Sequence, residues 1–180
     1  RVYRCIYDFN CMTVLYWVLL FLILQRLAEL LLAKRNTALL LARGGIEHGA
    51  GHYPLIVLLH LCWLAALAYF IPPAQPANWW LLGLFGGLQI LRVWVLATLG
   101  SRWTTRVIEL PGEAPIRSGL YRWCCHPNYL IVAGEIFLLP LVFGRWEIAI
   151  VFTIANSMLL WHRIRVEEVA LQNMSAASNE

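Results

Sequence analysis

Charge is scarce in this chain of 180 residues: 14 Lys and Arg and 10 Asp and Glu make up 13% of it, against 61% hydrophobic residues. Soluble globular domains carry about a quarter of their residues charged, so that class is excluded. Cysteine is sparse and odd in number, at five. Cys62 falls within an apolar run, Cys124 and Cys125 are neighbours, and Cys5 and Cys11 lie near the start, which argues against a disulfide framework. Cys124, Cys125 and His126 are consecutive and lack the ligand spacing of a zinc site, so no metal is expected. No glycine-rich strand-to-helix fingerprint is present, which removes the soluble nucleotide-binding fold. No basic run is interleaved with aromatics, so nucleic acid is not an expected partner despite a net charge of +4. Outside the apolar runs no stretch is long enough for a second domain.

What the chain has in quantity is hydrophobic sequence. A helix needs about 20 apolar residues to cross a bilayer. Five runs approach that length, at 12–33, 53–71, 78–99, 127–143 and 146–161. They predict an all-α fold, a multi-pass transmembrane bundle of about five helices. Only Gly144 and Arg145 separate the last two, which should form a tight hairpin. Residues 12–180 then constitute a single integral-membrane domain. Residues 1–11 carry no apolar period and read as a candidate leader or added segment. The first apolar run is too long for a cleaved signal peptide and lacks a small-residue cleavage site.

Charge placement sets the orientation. Lys34, Arg35, Arg43, Arg102, Arg106, Arg117, Arg122, Arg163 and Arg165 fall on one side if the helices alternate, and Arg1, Arg4 and Arg145 on the other. The positive-inside rule then puts the carboxyl terminus and the segments 34–52 and 100–126 in the cytoplasm.

Ionisable groups inside spans are costly, about 2.5 to 3.5 kcal/mol each on insertion scales, and they tend to face a bundle interior. Here Gln25, Arg26 and Glu29 occur together in the first span, and the i,i+3 spacing of Arg26 and Glu29 lets them pair. Gln89 and Arg92 share a face of the third, Glu135 stands alone in the fourth, and Asn156 lies in the fifth. These groups serve either as structural pairs or as a site. His60, in the second span, reads as a hydrogen-bonded structural histidine before it reads as a ligand.

The stretch GLYRWCCHPNY opens the fourth run. Proline is favoured at the first helical position, so Pro127 starts the helix with His126 at its cap. His126 and Tyr129 share one side of that first turn, whose free amides favour an anionic group. In the fifth helix Arg163 and Glu167 are four apart and Arg165 and Glu168 three apart. A hairpin turning at Gly144 returns both open ends to one level and brings His126 and Tyr129 near Arg163 and Glu167. Such a site suits a zwitterionic, polar cofactor.

GLYRWCCHPNY, followed by a hydrophobic hairpin and RIRVEEVAL, resembles the paired signatures of the isoprenylcysteine carboxyl methyltransferase family, G-x-Y-R-x-x-R-H-P-x-Y and R-x-x-x-E-E. LGSRWTTRVIELPGEAPIRSGLYR resembles that family's preceding region. QRLAELLLAKRN and GIEHGAGHYP resemble a bacterial branch associated with alkylpyrone O-methylation beside type III polyketide synthases. The resemblance covers nearly everything after Met12. It implies an integral-membrane methyltransferase that uses S-adenosylmethionine, bound by His126, Pro127, Tyr129, Arg163, Glu167 and Glu168. Two positions depart from the pattern: Leu120 replaces a proline, and Cys125 replaces an arginine whose cation Arg122 or Arg106 would have to supply.

The expected function is therefore S-adenosylmethionine-dependent O-methylation of a lipophilic acceptor in a bacterial cytoplasmic membrane, with the cofactor site facing the cytoplasm. The acceptor expected first is an alkylpyrone or related polyketide lipid, implying a functional link to a polyketide synthase. Arg92 and Arg26 would orient its oxygen, and Glu135 would help to remove a proton from a hydroxyl; these three are the catalytic candidates. A prenylated cysteine carboxylate, an ethanolamine phospholipid, and a scaffold or carrier bound to membrane lipids but without catalysis are the alternatives.

Overall fold

A computed structural model describes the backbone of residues 2–48, 53–111, 113 and 116–177, and the side chains of 14–47, 54–111, 113 and 116–165. It is an all-helical bundle of five helices with one small sheet: α1 (Val2–Ala42), α2 (Tyr53–Phe70), α3 (Trp79–Leu99), α4 (Pro127–Val142) and α5 (Trp146–Ala177). Four of the five expected spans match these helices within a residue or two at their starts. The first differs, because α1 begins at Val2 and continues through residues 2–11 without a break. It also runs nine residues past the expected end of its apolar run, so that Lys34 and Arg35 lie within the helix.

Among the described residues two helices are long and apolar enough to cross a membrane, over Val14–Ala42 and Trp79–Arg102, while Pro54–Phe70 and Pro127–Val142 are apolar but shorter. Large hydrophobic side chains lie outward on every helix, among them Leu24, Leu31, Leu58, Ile90, Leu130 and Ile154. Water would penalise that surface, whereas hydrocarbon would not.

The ends of the helices are set by local chemistry. Asn78 caps α3, its side chain accepting from the amides of Trp80 at 3.1 Å and Leu81 at 3.2 Å. Its own amide donates to the carbonyl of Val142 at 2.8 Å, which binds the α2–α3 turn to the end of α4. His126 is the residue before α4 and Pro127 its first. At the α4–α5 turn Gly144 takes φ +69°, a left-handed conformation that residues with a Cβ adopt at a cost. The tight hairpin follows, and α4 packs against both α5 and α3. Gly134 lets α3 approach: a Cβ there would lie 3.0 Å from Leu88 Cδ1.

The opposite end carries a feature the apolar pattern does not signal. β1 (Ile46–His48) pairs antiparallel with β2 (Val107–Glu109), Glu47 opposite Ile108. Arg106 donates to both oxygens of Glu47, at 3.0 and 2.9 Å. Glu113 receives Arg43 from one segment and Arg102 from the other. Asn36, buried on α1, donates to the carbonyls of Gly100 and Trp103, at 3.1 and 2.8 Å. These contacts hold the segment after α3 over the bundle.

The apolar core occupies the half nearer the two tight turns. Leu15, Leu19 and Leu22 recur at helical spacing on α1 and pack with Trp63, Leu67 and Ile71 of α2, Phe85 of α3, and Ile136, Leu139 and Val142 of α4. The polar residues of the spans lie in the other half.

Candidate functional site

Four charged side chains from three helices meet in that other half. Arg92 grips Glu29 with two parallel bonds, Nε to Oε1 at 2.5 Å and Nη2 to Oε2 at 2.9 Å. Its Nη1 reaches Glu135 Oε2 at 2.8 Å. Arg26 donates to Glu29 Oε2 at 2.8 Å and to Glu135 Oε2 at 2.5 Å. Gln89 Nε2 supplies the other oxygen of Glu135 at 2.9 Å. Two cations and two anions cancel, which is what makes the burial tolerable: the Arg92 side chain keeps 5% of its surface exposed and that of Glu135 none.

The pairing of Arg26 with Glu29 is the one their spacing predicts. Glu135, solitary in its own helix, is not solitary in the fold. Its proton-removing role does not fit this arrangement, because both oxygens are held by donors and no surface is open to an acceptor. Arg26 and Arg92, by contrast, line a cavity of about 150 Å³.

That cavity joins the charged quartet to the motif at the start of α4. Its wall includes Asn128 and Tyr129 of α4, Asn156 and Arg163 of α5, Trp103 to Thr105 from the segment after α3, and His60 of α2. Arg163 Nε donates to the Tyr129 hydroxyl at 2.8 Å, and its guanidinium carbon lies 5.2 Å from the Tyr129 ring centre. The His126 ring stacks on Tyr129, with centres 5.2 Å apart and planes 7° apart, without lining the cavity itself. The hairpin thus brings together His126, Tyr129 and Arg163, but only the latter two face the cavity. Pro127 is buried as the first residue of α4. Glu167 and Glu168 fall within α5, but their side chains lie outside the described residues.

Cys125 is exposed, and neither Arg122 nor Arg106 lines the cavity. Arg106 is engaged by Glu47, so the cation on the cavity wall near the motif is that of Arg163.

Several polar atoms on this wall are buried without a protein partner: Asn156 Nδ2, Trp103 Nε1 and Arg26 Nε, all donors, and Asn128 Oδ1, an acceptor. Leaving such groups unpaired costs about 1 to 3 kcal/mol each, so a ligand that pairs them is favoured. Among the described residues no carboxylate pairs with Arg163. Asn156 Nδ2, Trp103 Nε1, the Arg163 cation and Asn128 Oδ1 fit a zwitterion bearing a carboxylate, an ammonium and hydroxyls, which is the donor and acceptor set of S-adenosylmethionine. Sequence reasoning passed over Asn128 and Trp103. Asn128 lies inside the motif, and its polarity one residue into a buried helix start was the available signal; Trp103 gave none, since its indole is brought in by the loop.

The chain matches a family model described as the isoprenylcysteine carboxyl methyltransferase (ICMT) family over residues 81–173. A Bacillus subtilis (strain 168) protein, "Uncharacterized protein YpbQ", is 37% identical over 166 residues, covering 89% of this chain and 99% of that protein. No solved structure matches the chain.

Proposed function

The chain belongs to the isoprenylcysteine carboxyl methyltransferase family, a family of membrane methyltransferases, and from that premise we propose that it passes a methyl group from S-adenosylmethionine to an oxygen of a lipophilic acceptor. The observation that carries this reading is a single cavity walled both by the motif residues Asn128, Tyr129 and Arg163 and by the buried cations Arg26 and Arg92. In this reading the chain crosses a bacterial cytoplasmic membrane several times. Its polar end faces the cytoplasm, where the cofactor enters, and the acceptor arrives from the lipid.

Bound S-adenosylmethionine supplies a methyl group on a positively charged sulfur, open to in-line attack by an oxygen. The protein's part is alignment and exclusion of water. Arg163, held by Tyr129, and Asn156 Nδ2 would bind the cofactor's carboxylate, and Asn128 Oδ1 would accept a hydrogen bond from its ammonium or a hydroxyl. His126 stiffens Tyr129 by stacking, and Glu167 and Glu168 extend the cofactor segment along α5. Arg26, through its unpaired Nε, and Arg92 orient the acceptor oxygen and stabilise negative charge on it. Glu29 and Glu135 hold those two guanidinium groups in place.

An alkylpyrone or related polyketide lipid, made by a polyketide synthase, is the acceptor favoured by the QRLAELLLAKRN and GIEHGAGHYP segments. The carboxylate of a prenylated cysteine is the second reading, favoured by the family's description. A wall rich in cations suits either oxygen acid better than the amine of an ethanolamine phospholipid.

The protein in lipid nanodiscs is expected to retain labelled S-adenosylmethionine and to transfer its label to a compound in a bacterial lipid extract, identified by mass spectrometry. Tyr129→Phe removes a hydrogen bond to a charged group, about 1.5 to 3 kcal/mol, and should weaken retention by roughly 10- to 100-fold. Arg26→Met should spare retention and lower turnover. Absence of retention by the native protein would leave only a scaffold or carrier.

A further inference from the structure

His60 faces the same cavity and bonds to no member of the charged quartet. Its Nδ1 lies 2.8 Å from the carbonyl oxygen of Ile56, one turn earlier on α2. A carbonyl can only accept, so Nδ1 carries the hydrogen and Nε2 the lone pair. Nε2 has no hydrogen-bond partner among the described residues.

The other polar groups on the wall cannot take a proton. Arg26, Arg92 and Arg163 are permanent cations. Glu29 accepts from Arg26 and Arg92 through both oxygens, and Glu135 is sealed behind them. The amides of Asn128 and Asn156, the hydroxyls of Thr104 and Thr105 and the indole of Trp103 are not bases near neutral pH, and the Tyr129 hydroxyl already accepts from Arg163. His60 Nε2 is therefore the unengaged basic lone pair on the described wall, opposite two cations able to stabilise an oxyanion.

We infer that His60 Nε2 takes the proton of the acceptor, whose reacting oxygen is then a hydroxyl on an apolar chain, as the alkylpyrone reading already implies. The inference rests on the methyltransferase reading. In the step, the O–H bond breaks and its electron pair stays on oxygen while the proton joins Nε2. The oxygen bonds to the methyl carbon as the carbon–sulfur bond breaks, with that pair going to sulfur. A cation, the sulfonium, is replaced by a cation, the imidazolium, so charge balances; the ring returns its proton to water once the methyl ether leaves. A carboxylate acceptor, ionised already, would have no use for the group.

The test uses the full chain in nanodiscs with labelled S-adenosylmethionine and a series of alkyl-chain phenols of graded acidity, ending in an alkyl carboxylic acid. His60→Asn keeps a donor at the position of Nδ1 and removes the base; His60→Gln removes it with an amide at the position of Nε2. For the weakest acids both variants should turn over about 100-fold more slowly than the native protein, with the deficit shrinking as acceptor acidity rises, and both should retain the labelled cofactor. An equal deficit across the series, or none, overturns the inference. In the native protein the rate should vary less steeply with acceptor acidity than the reaction in water does. An equally steep dependence, or turnover of the carboxylic acid alone, overturns the inference without recourse to any variant. Failure of the native protein to retain cofactor instead strikes the methyltransferase reading itself.

Discussion

Glu135 has no accessible surface and accepts from Arg26, Arg92 and Gln89. Its value lies in neutralising two guanidinium groups that would otherwise face one carboxylate, Glu29, in a medium of low dielectric. Removing one partner of a buried ion pair leaves an uncompensated charge and costs about 3 to 5 kcal/mol, more than the pair itself contributes. Glu135→Gln should therefore destabilise the protein by that amount, measured by unfolding in mixed micelles. Arg26→Met combined with Glu135→Gln, which deletes one charge of each sign, should recover part of the loss. Strictly additive losses would mean that charge balance is not what holds the quartet together. At this scale the sequence was readable where partners are close along the chain, as with Arg26 and Glu29. It was not readable for Glu135, whose partners lie 109 and 43 residues away and depend on how α1, α3 and α4 are arranged. The reading of His60 as a hydrogen-bonded histidine holds through its local bond to Ile56, while the place of its other nitrogen on the cavity wall depends on the fold and left no mark in the sequence.

The helices themselves were legible because apolar runs, Pro127 and Asn78 mark them by local chemistry. The hairpin of α4 and α5 is the element on which the site depends, for it sets Tyr129 against Arg163 across 34 residues. Its turn rests on Gly144 at φ +69°. A Cβ there would meet only Gln75 Nε2, at an ordinary 3.7 Å, so backbone strain is the whole cost of a substitution. A left-handed residue with a Cβ costs about 1 to 2 kcal/mol. Gly144→Ala should lower stability by that amount, and Gly144→Asn by less, since asparagine tolerates this conformation. Cofactor retention should hold in both, because the turn lies at the far end of the hairpin. An alanine variant as stable as the native chain would show that the turn relaxes freely and does not fix the register of the two helices. The β1–β2 pair, in contrast, had no legible signal: three residues a strand are too few for a period. It is accompanied by the ion pair of Glu47 and Arg106, which meet only once α1 and the segment after α3 are side by side.

At the scale of the molecule, the positive residues and the exposed aromatics point the same way. Tyr69, Phe70, Trp79, Trp80 and Trp146 are exposed around the turns where the apolar core lies, and Trp123 and Trp161 at the end that carries the cavity and the basic segments. Aromatic rings prefer the two interfaces of a bilayer, and lysine and arginine accumulate on the cytoplasmic one. Exposed aromatics at both ends suit a bundle that spans a bilayer, while its orientation rests on the charge alone. With Cys5, Cys11, Cys62 and Cys124 replaced by serine, a membrane-impermeant thiol reagent should label Cys125, which is exposed, in inside-out vesicles and not in right-side-out ones. Ala74→Cys, in the exposed turn before α3, should show the reverse when Cys125 is also replaced by serine. Both sites reacting from one side would deny that α3 crosses the membrane. Both sites inverted would put the cavity on the face away from the cytoplasmic supply of methyl donor, and the proposed route of entry would fall with it.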